Sequence, residues 1–505
     1  MKRFFLLIFL YALPYQSFAT RTGAAGAKTF ADPDYTITTT GGLVTITDVA
    51  GAADVLDLSE NGGNLRISVV GKTYSLDGGA ITAFTTPADI PLAGKTGITV
   101  NAGAGDDVLD IRSFSSSLPA LTINGDAGND AVNFLGNINF AADASLDLDL
   151  LNDGPTPGID RVNFDAPVIL SGSGAVTIKV SRSIYCNTGG RLQSENGNIT
   201  MEANYQPIPN TEIYPGMKFE NFILEITGTG LLTMKGKGGV NAPNADGISV
   251  NNSQIIGGTT GTVYIEGRGA NLPTTYTARG ILMFGTSMKV TSHGADLTMV
   301  GYGGTGGGTN NPVGINIGQG SITAAGNANI FLTGYGGSAI GVSVGINFSQ
   351  CTVETAGGNI TITGTSPGFG ASFNSNGIVK TIGNGDIIVN GTATSNGIED
   401  PYYGISQSFR HTFSTVDGDI ILTGISPDDK DDISLYDASD SPGYDSNFDS
   451  ENGNIVFVAN SFTGGSSKLN ATNGSVIFSP RSANRPVLIG GADVLGPNGS
   501  LGISD

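Results

Sequence analysis

Tryptophan is absent from this 505-residue chain, cysteine and histidine occur twice each, and only 13% of residues are charged. Two cysteines, Cys186 and Cys351, give no disulfide framework. Many repeat units separate them, so they are expected as free thiols buried in the stack. The two histidines, His293 and His411, stand alone in the sequence. Basic residues are few: 24 Lys and Arg face 44 Asp and Glu, a formal net charge of −20. Nucleic acid and anionic membrane both need a basic face and are excluded as partners on that ground. After the apolar run at 4–13 no stretch is long enough to span a bilayer, so no membrane insertion is expected. Helical periodicity is missing after the first twenty residues.

What the chain has in quantity is glycine, 77 residues of it, without the proline of a collagen or a disordered linker. The glycines punctuate a repeat. Eleven times a glycine-led turn precedes two apolar residues separated by one position, as in Gly358-Asn359-Ile360-Thr361-Ile362 and Gly418-Asp419-Ile420-Ile421-Leu422. The first apolar residue falls at Val176, Ile199, Leu232, Val263, Leu297, Ile330, Ile360, Ile387, Ile420, Ile455 and Val476. The intervals run from 21 to 35 residues, the scale of a stacked array in which no unit buries its apolar face alone.

A second signal recurs in phase with the first: Gly247-Ile248, Gly280-Ile281, Gly314-Ile315, Gly345-Ile346, Gly377-Ile378 and Gly404-Ile405. A third apolar patch precedes each turn, as at Met288-Lys289-Val290 and Cys351-Thr352-Val353. Three short strands per unit, with alternate side chains inward, describe one coil of a right-handed parallel β-helix, an all-β solenoid. Glycine and asparagine at the corners are expected to supply positive φ for sharp turns.

Five segments follow. Residues 1–19 read as a secretory signal: Lys2 and Arg3, the apolar run, then small residues ending at Ala19. Residues 20–97 carry alternating strands and hairpin turns and are expected to form a small β cap. The helix is expected to start in 98–171, where the period is 23 residues, and to continue through 172–480. Residues 481–505 read as the start of a further, truncated repeat.

Two acidic loops lie in 98–171. Ala102–Asp110 and Gly125–Asn133 resemble the calcium-binding nonapeptide repeats of secreted RTX proteins. That resemblance implies Ca2+ held by Asp106, Asp107, Asp110, Asp126, Asn129 and Asp130, with glycines that free nearby carbonyls. A degenerate relative spans 51–58 and includes Asp54. Tandem family sites are nine residues apart, whereas Asp107 and Asp130 are 23 apart, so any shared ion requires the two coils to stack in register. The main array, with Ser194–Met201, Thr355–Ile362 and Ser450–Phe457 as its clearest copies, resembles the repeats of filamentous-haemagglutinin-like bacterial surface adhesins.

The resemblance implies a secreted, non-catalytic protein at the bacterial surface that contacts a host or neighbouring cell, a glycan or extracellular matrix. Two alternatives remain. One is a β-helical polysaccharide lyase or glycosidase, for which Asp246, Arg268 and Arg279 are the residues able to meet on one face. The other is a structural filament or surface-layer component.

Overall fold

The computed structural model describes residues 32–151, 158–210, 214–239, 245–271, 278–305, 312–337, 343–394, 402–427, 432–435, 446–464, 467–483, 485–489 and 501–503. The expected secretory signal lies outside them. Every regular element described is a β-strand, and three long sheets run side by side along the molecule. The architecture is the all-β parallel β-helix expected from the repeat. Among the described residues no helix is long and apolar enough to cross a membrane.

The first sheet holds the repeat's apolar pairs. Its register places Val176, Ile199, Leu232, Val263, Leu297, Ile330, Ile360, Ile387, Ile420, Ile455 and Val476 in one column, each paired with the next. All but the last are buried. In Ile360–Ser366 burial alternates strictly, with Ile360 and Ile362 inside and Thr361 and Thr363 half-exposed. That alternation is the period of two that a strand imposes on its side chains. Aromatic rings stack on one another along the interior in the same way: Phe134 on Phe164, Phe348 on Phe373 and Phe413 on Phe448, with centroids 4.7–5.1 Å apart. Cys186 and Cys351 are free and buried.

Corner residues such as Asn204, Asn221, Asn252, Gly172 and Gly189 do take the expected positive φ, but the Asn or Asp of the repeated motif has a different job. Positive φ is absent at Asn359, Asp419 and Asn454, and at the glycines before them. Instead each side chain accepts the backbone N–H of its counterpart one coil on. Asn359 N donates to Asn329, Asp386 N to Asn359, Asp419 N to Asp386, and Asn454 N to Asp419, at 2.6–2.9 Å. The ladder satisfies corner amides that the sheets leave without partners. The preceding glycines are there for closeness: a Cβ at Gly418 would lie 2.0 Å from the Gly385 carbonyl oxygen.

Glycine also forms the seam where the first and second sheets meet. Gly236, Gly267, Gly301, Gly334, Gly364, Gly391 and Gly424 make one column. A Cβ on any of them would come within 1.9–2.4 Å of a carbonyl oxygen in, or just before, a second-sheet strand. Facing them are Gly247, Gly280, Gly314, Gly345, Gly370 and Gly404. The sequence pattern put Gly377 in that series. The structure puts Gly370 there and Gly377 in the third sheet, paired with His411. The register explains the error: the coil is short here, and its apolar residue after the glycine is Ala371, not isoleucine.

Cap and stack share strands. Leu43–Asp48 and Val55–Asn61 already pair in parallel with Gly97–Asn101 and Val108–Ile111, so the ladders begin inside 20–97. Tyr35–Thr40 and Asn64–Val69 then fold back antiparallel on those two strands. From Leu43–Asp48 to Val476–Ser479 fifteen described strands of the first sheet lie in parallel sequence. Fourteen steps of ~4.8 Å make a stack of about 67 Å.

Candidate functional site

Acidic side chains converge where the cap meets the first coils. Asp48 ends its strand at one corner, and its Oδ1 accepts the N–H groups of Ala50 and Gly51 at 2.8 and 3.2 Å. Asp54 precedes the next strand. Its Oδ1 is 2.7 Å from Lys72 Nζ, and its Oδ2 accepts the Tyr35 hydroxyl at 3.0 Å. Asp107 sits one coil on from Asp54 and accepts the Asp54 N–H through Oδ1 at 2.8 Å. Carboxylate oxygens of these three buried residues lie within 4.8 Å of one another, and among the described residues they are the one group of three acids so close.

The crowding is visible in the acidities. Burial pushes the Asp107 carboxyl up to about 7; the Asp54 N–H bond opposes this, and the charges of Asp48 and Asp54 add to it. Burial raises Asp48 as well, against the two backbone N–H bonds it accepts. Burial, reinforced by the neighbouring Asp54 and Asp48, holds the Tyr35 hydroxyl well above its ordinary range. Burial works against the Lys72 charge, but the contact with Asp54 outweighs it, and Lys72 is raised.

Asp54 and Asp107 open a longer ladder. Asp107 N donates to Asp130 Oδ1, Asp130 N to Asp160 Oδ1, and Asp160 N to Ser181 Oγ, at 2.7–3.0 Å. Asp107 and Asp130 therefore stack in register one coil apart, as a shared ion in these loops requires. The other expected ligands are placed differently. Asp106 is exposed and accepts both the N–H and the side-chain amide of Asn129. Asn129 in turn accepts the Ile159 N–H, and Asp110 accepts the Asn133 amide. Asp126 is half-buried at a φ of 63°. The Gly103 carbonyl accepts the Ala127 N–H. Of the six, only Asp107 belongs to the three-acid group. Asp48, missed in the sequence, lies 59 positions before Asp107 (107 − 48) and carries no glycine-rich signature; only the strand register brings it in.

The residues weighed for catalysis divide into two places. Arg279 contacts Asp246 twice, its N–H donating to Oδ1 at 2.9 Å and Nη1 standing 3.6 Å from Oδ2. Burial pushes Asp246 up to about 6 against the lowering effect of Arg279. Arg268 turns elsewhere, to Glu266 and to the rings of Tyr302 and Tyr205. His293 is exposed at a turn, whereas His411 is 1% exposed and packed edge-on against Phe373.

The connections between strands form the other notable feature. From third sheet to first they span four to six residues, as 195–198 and 257–262 do. From first sheet to second they vary from two residues at 181–182 to thirteen at 204–216, with twelve at 269–280 and eleven at 394–404. Length variation is thus greatest at the first-to-second-sheet corner; second-to-third connections span two to four residues apart from twelve at 435–446. Comparison with protein families, with curated proteins and with solved structures finds no match to this chain.

Proposed function

We propose that this protein is a secreted, non-catalytic β-helix that works by surface contact, as an adhesin or matrix-binding rod. The observation that carries the reading is the spread of lengths in the first-to-second-sheet connections. In stacked repeats the core fixes most of each unit, and insertions collect on the face that meets partners. Here that corner takes many lengths between two and thirteen residues, while third-to-first turns stay at four to six and second-to-third turns at two to four save for 435–446. The leader-like residues 1–19 and the adhesin-like repeats favour export to the cell surface, with a glycan, a neighbouring cell or extracellular matrix as partner.

The test is to shorten the first-to-second-sheet connections one at a time to the two-residue form of 181–182 and to measure binding to immobilised matrix proteins, glycans and cells. Binding that falls in selected variants with unchanged circular dichroism supports the reading. Binding that survives every shortening overturns it. The pair of buried Asp246 and half-buried Arg279 favours a second reading, a polysaccharide lyase or hydrolase, because displaced acidities collect at catalytic sites. Turnover of polygalacturonate or alginate that disappears in Asp246→Asn would replace contact with catalysis.

A further inference from the structure

We propose that Asp48, Asp54 and Asp107 bind one hard divalent cation, calcium, which ties the amino-terminal cap to the first coil of the stack. The site sits at the amino-terminal end of the same first-to-second-sheet edge, in the connections 49–54 and 102–107, and does not rest on the contact reading. Two oxygens point to a ligand. Asp107 Oδ2 and Asp48 Oδ2 are buried without a hydrogen-bond partner, on residues only 2% and 5% exposed. A buried carboxylate oxygen left unpaired is costly, and native interiors rarely keep one without a compensating charge. The other oxygen of each residue is already held by backbone N–H groups, so both carboxylates are fixed in orientation.

Charge points the same way. Three carboxylates and the Lys72 ammonium leave two negative charges when all are ionised, which one divalent ion neutralises. Gly103 keeps a methyl group away from Asp48: a Cβ there would stand 3.5 Å from Asp48 Oδ2 and 3.0 Å from the Asp48 carbonyl oxygen. The donors are all oxygen, which selects calcium or magnesium over zinc or copper. Calcium accepts irregular oxygen sets, whereas magnesium demands an octahedron and keeps its water, so a corner of buried carboxylates favours calcium.

Terbium provides the probe. The chain has no tryptophan, and Tyr35 donates its hydroxyl to Asp54, so terbium at this site should be sensitised by tyrosine excitation. The expected result on the full chain is saturable emission that calcium displaces. Asp48→Asn and Asp107→Asn should each weaken terbium binding at least tenfold. Tyr35→Phe should dim the emission with affinity changed less than threefold, and Asp126→Asn should leave both unchanged. Emission that calcium fails to displace, or that survives both asparagine variants, marks an adventitious surface ion and overturns the proposal. Hydrogen exchange of the wild-type chain covers the case in which a variant fails to fold. Calcium should slow exchange at Ala50, Gly51 and Asp54, and unchanged exchange there also overturns the site.

Discussion

Replacing Gly364 with alanine adds a single methyl group to the seam between the first and second sheets. The new Cβ would lie 1.9 Å from the Gly370 carbonyl oxygen and 2.5 Å from its carbon, where ordinary contact begins at 3.4 Å. About 1.5 Å of separation must be found, and the obstacle is backbone, which cannot swing aside as a side chain can. The neighbours in the column, Gly334 and Gly391, meet their own facing carbonyls at 2.1 and 2.0 Å, so the strain has no slack to enter above or below. Overpacking typically costs 1–3 kcal/mol, and a backbone wall on this scale puts Gly364→Ala at about 3 kcal/mol or more. Thr363→Ala, one residue away and half-exposed, should stay within about 0.5 kcal/mol. Urea unfolding followed by circular dichroism, with hydrogen exchange to report the local coil, makes the comparison; stacked repeats need the second probe because they need not unfold as one unit. A Gly364→Ala midpoint equal to that of Thr363→Ala would refute the seam.

Ile360→Asp should destabilise by about 3–5 kcal/mol, against a small effect for Thr361→Asp, since the first puts an unpaired charge among fully buried residues; equal losses by thermal melting would invert the assigned faces. Burial lowers His411 from 6.5 to about 3, so its neutral form stabilises the fold above pH 6.5 and that contribution drains away on acidification, roughly 3 kcal/mol by pH 4. Melting curves of His411→Leu should be flatter than wild type across that range, and parallel curves would contradict the assignment. Asp130→Ala strips the Asp107 N–H of its acceptor and should cost about 1–3 kcal/mol, while Asp130→Asn keeps an acceptor and costs less; the order is checked by chemical denaturation. Small-angle scattering should report an elongated particle with a stack near 67 Å, and a compact profile would break the single-rod description.

The coil was legible because its cause is local. An apolar residue at every second position, behind a glycine turn, specifies an inward face, and eleven such residues fall in one register column without exception. Corner chemistry was only partly legible. Gly-Asn reads as a turn from its composition, but at Asn359 the side chain is an acceptor for the next coil, a relation that spans 27 residues. The seam glycines could be seen as a period but not as a wall, since closeness between two sheets leaves no trace in spacing. The loops were legible as stacked acids: Asp107 and Asp130 align as the period implies, while Asp48 joins the three-acid group through cap strands with no repeat. A search for acids at strand ends in the cap would have brought Asp48 into view.

The hydrogen bonds that join coil to coil lie along the length of the molecule, whereas the covalent chain winds around it. Tension applied along the length is therefore carried by the rings of bonds in series, each bearing the whole load, with no shortcut that bypasses a coil. An end coil that detaches releases its own 21 to 35 residues and leaves the next ring intact to bear the load. At ~3.4 Å per extended residue, each event pays out on the order of 100 Å of slack, longer than the whole folded stack. Such a molecule is a reel as well as a spacer, able to yield stepwise under pull and to rewind from the coils that remain.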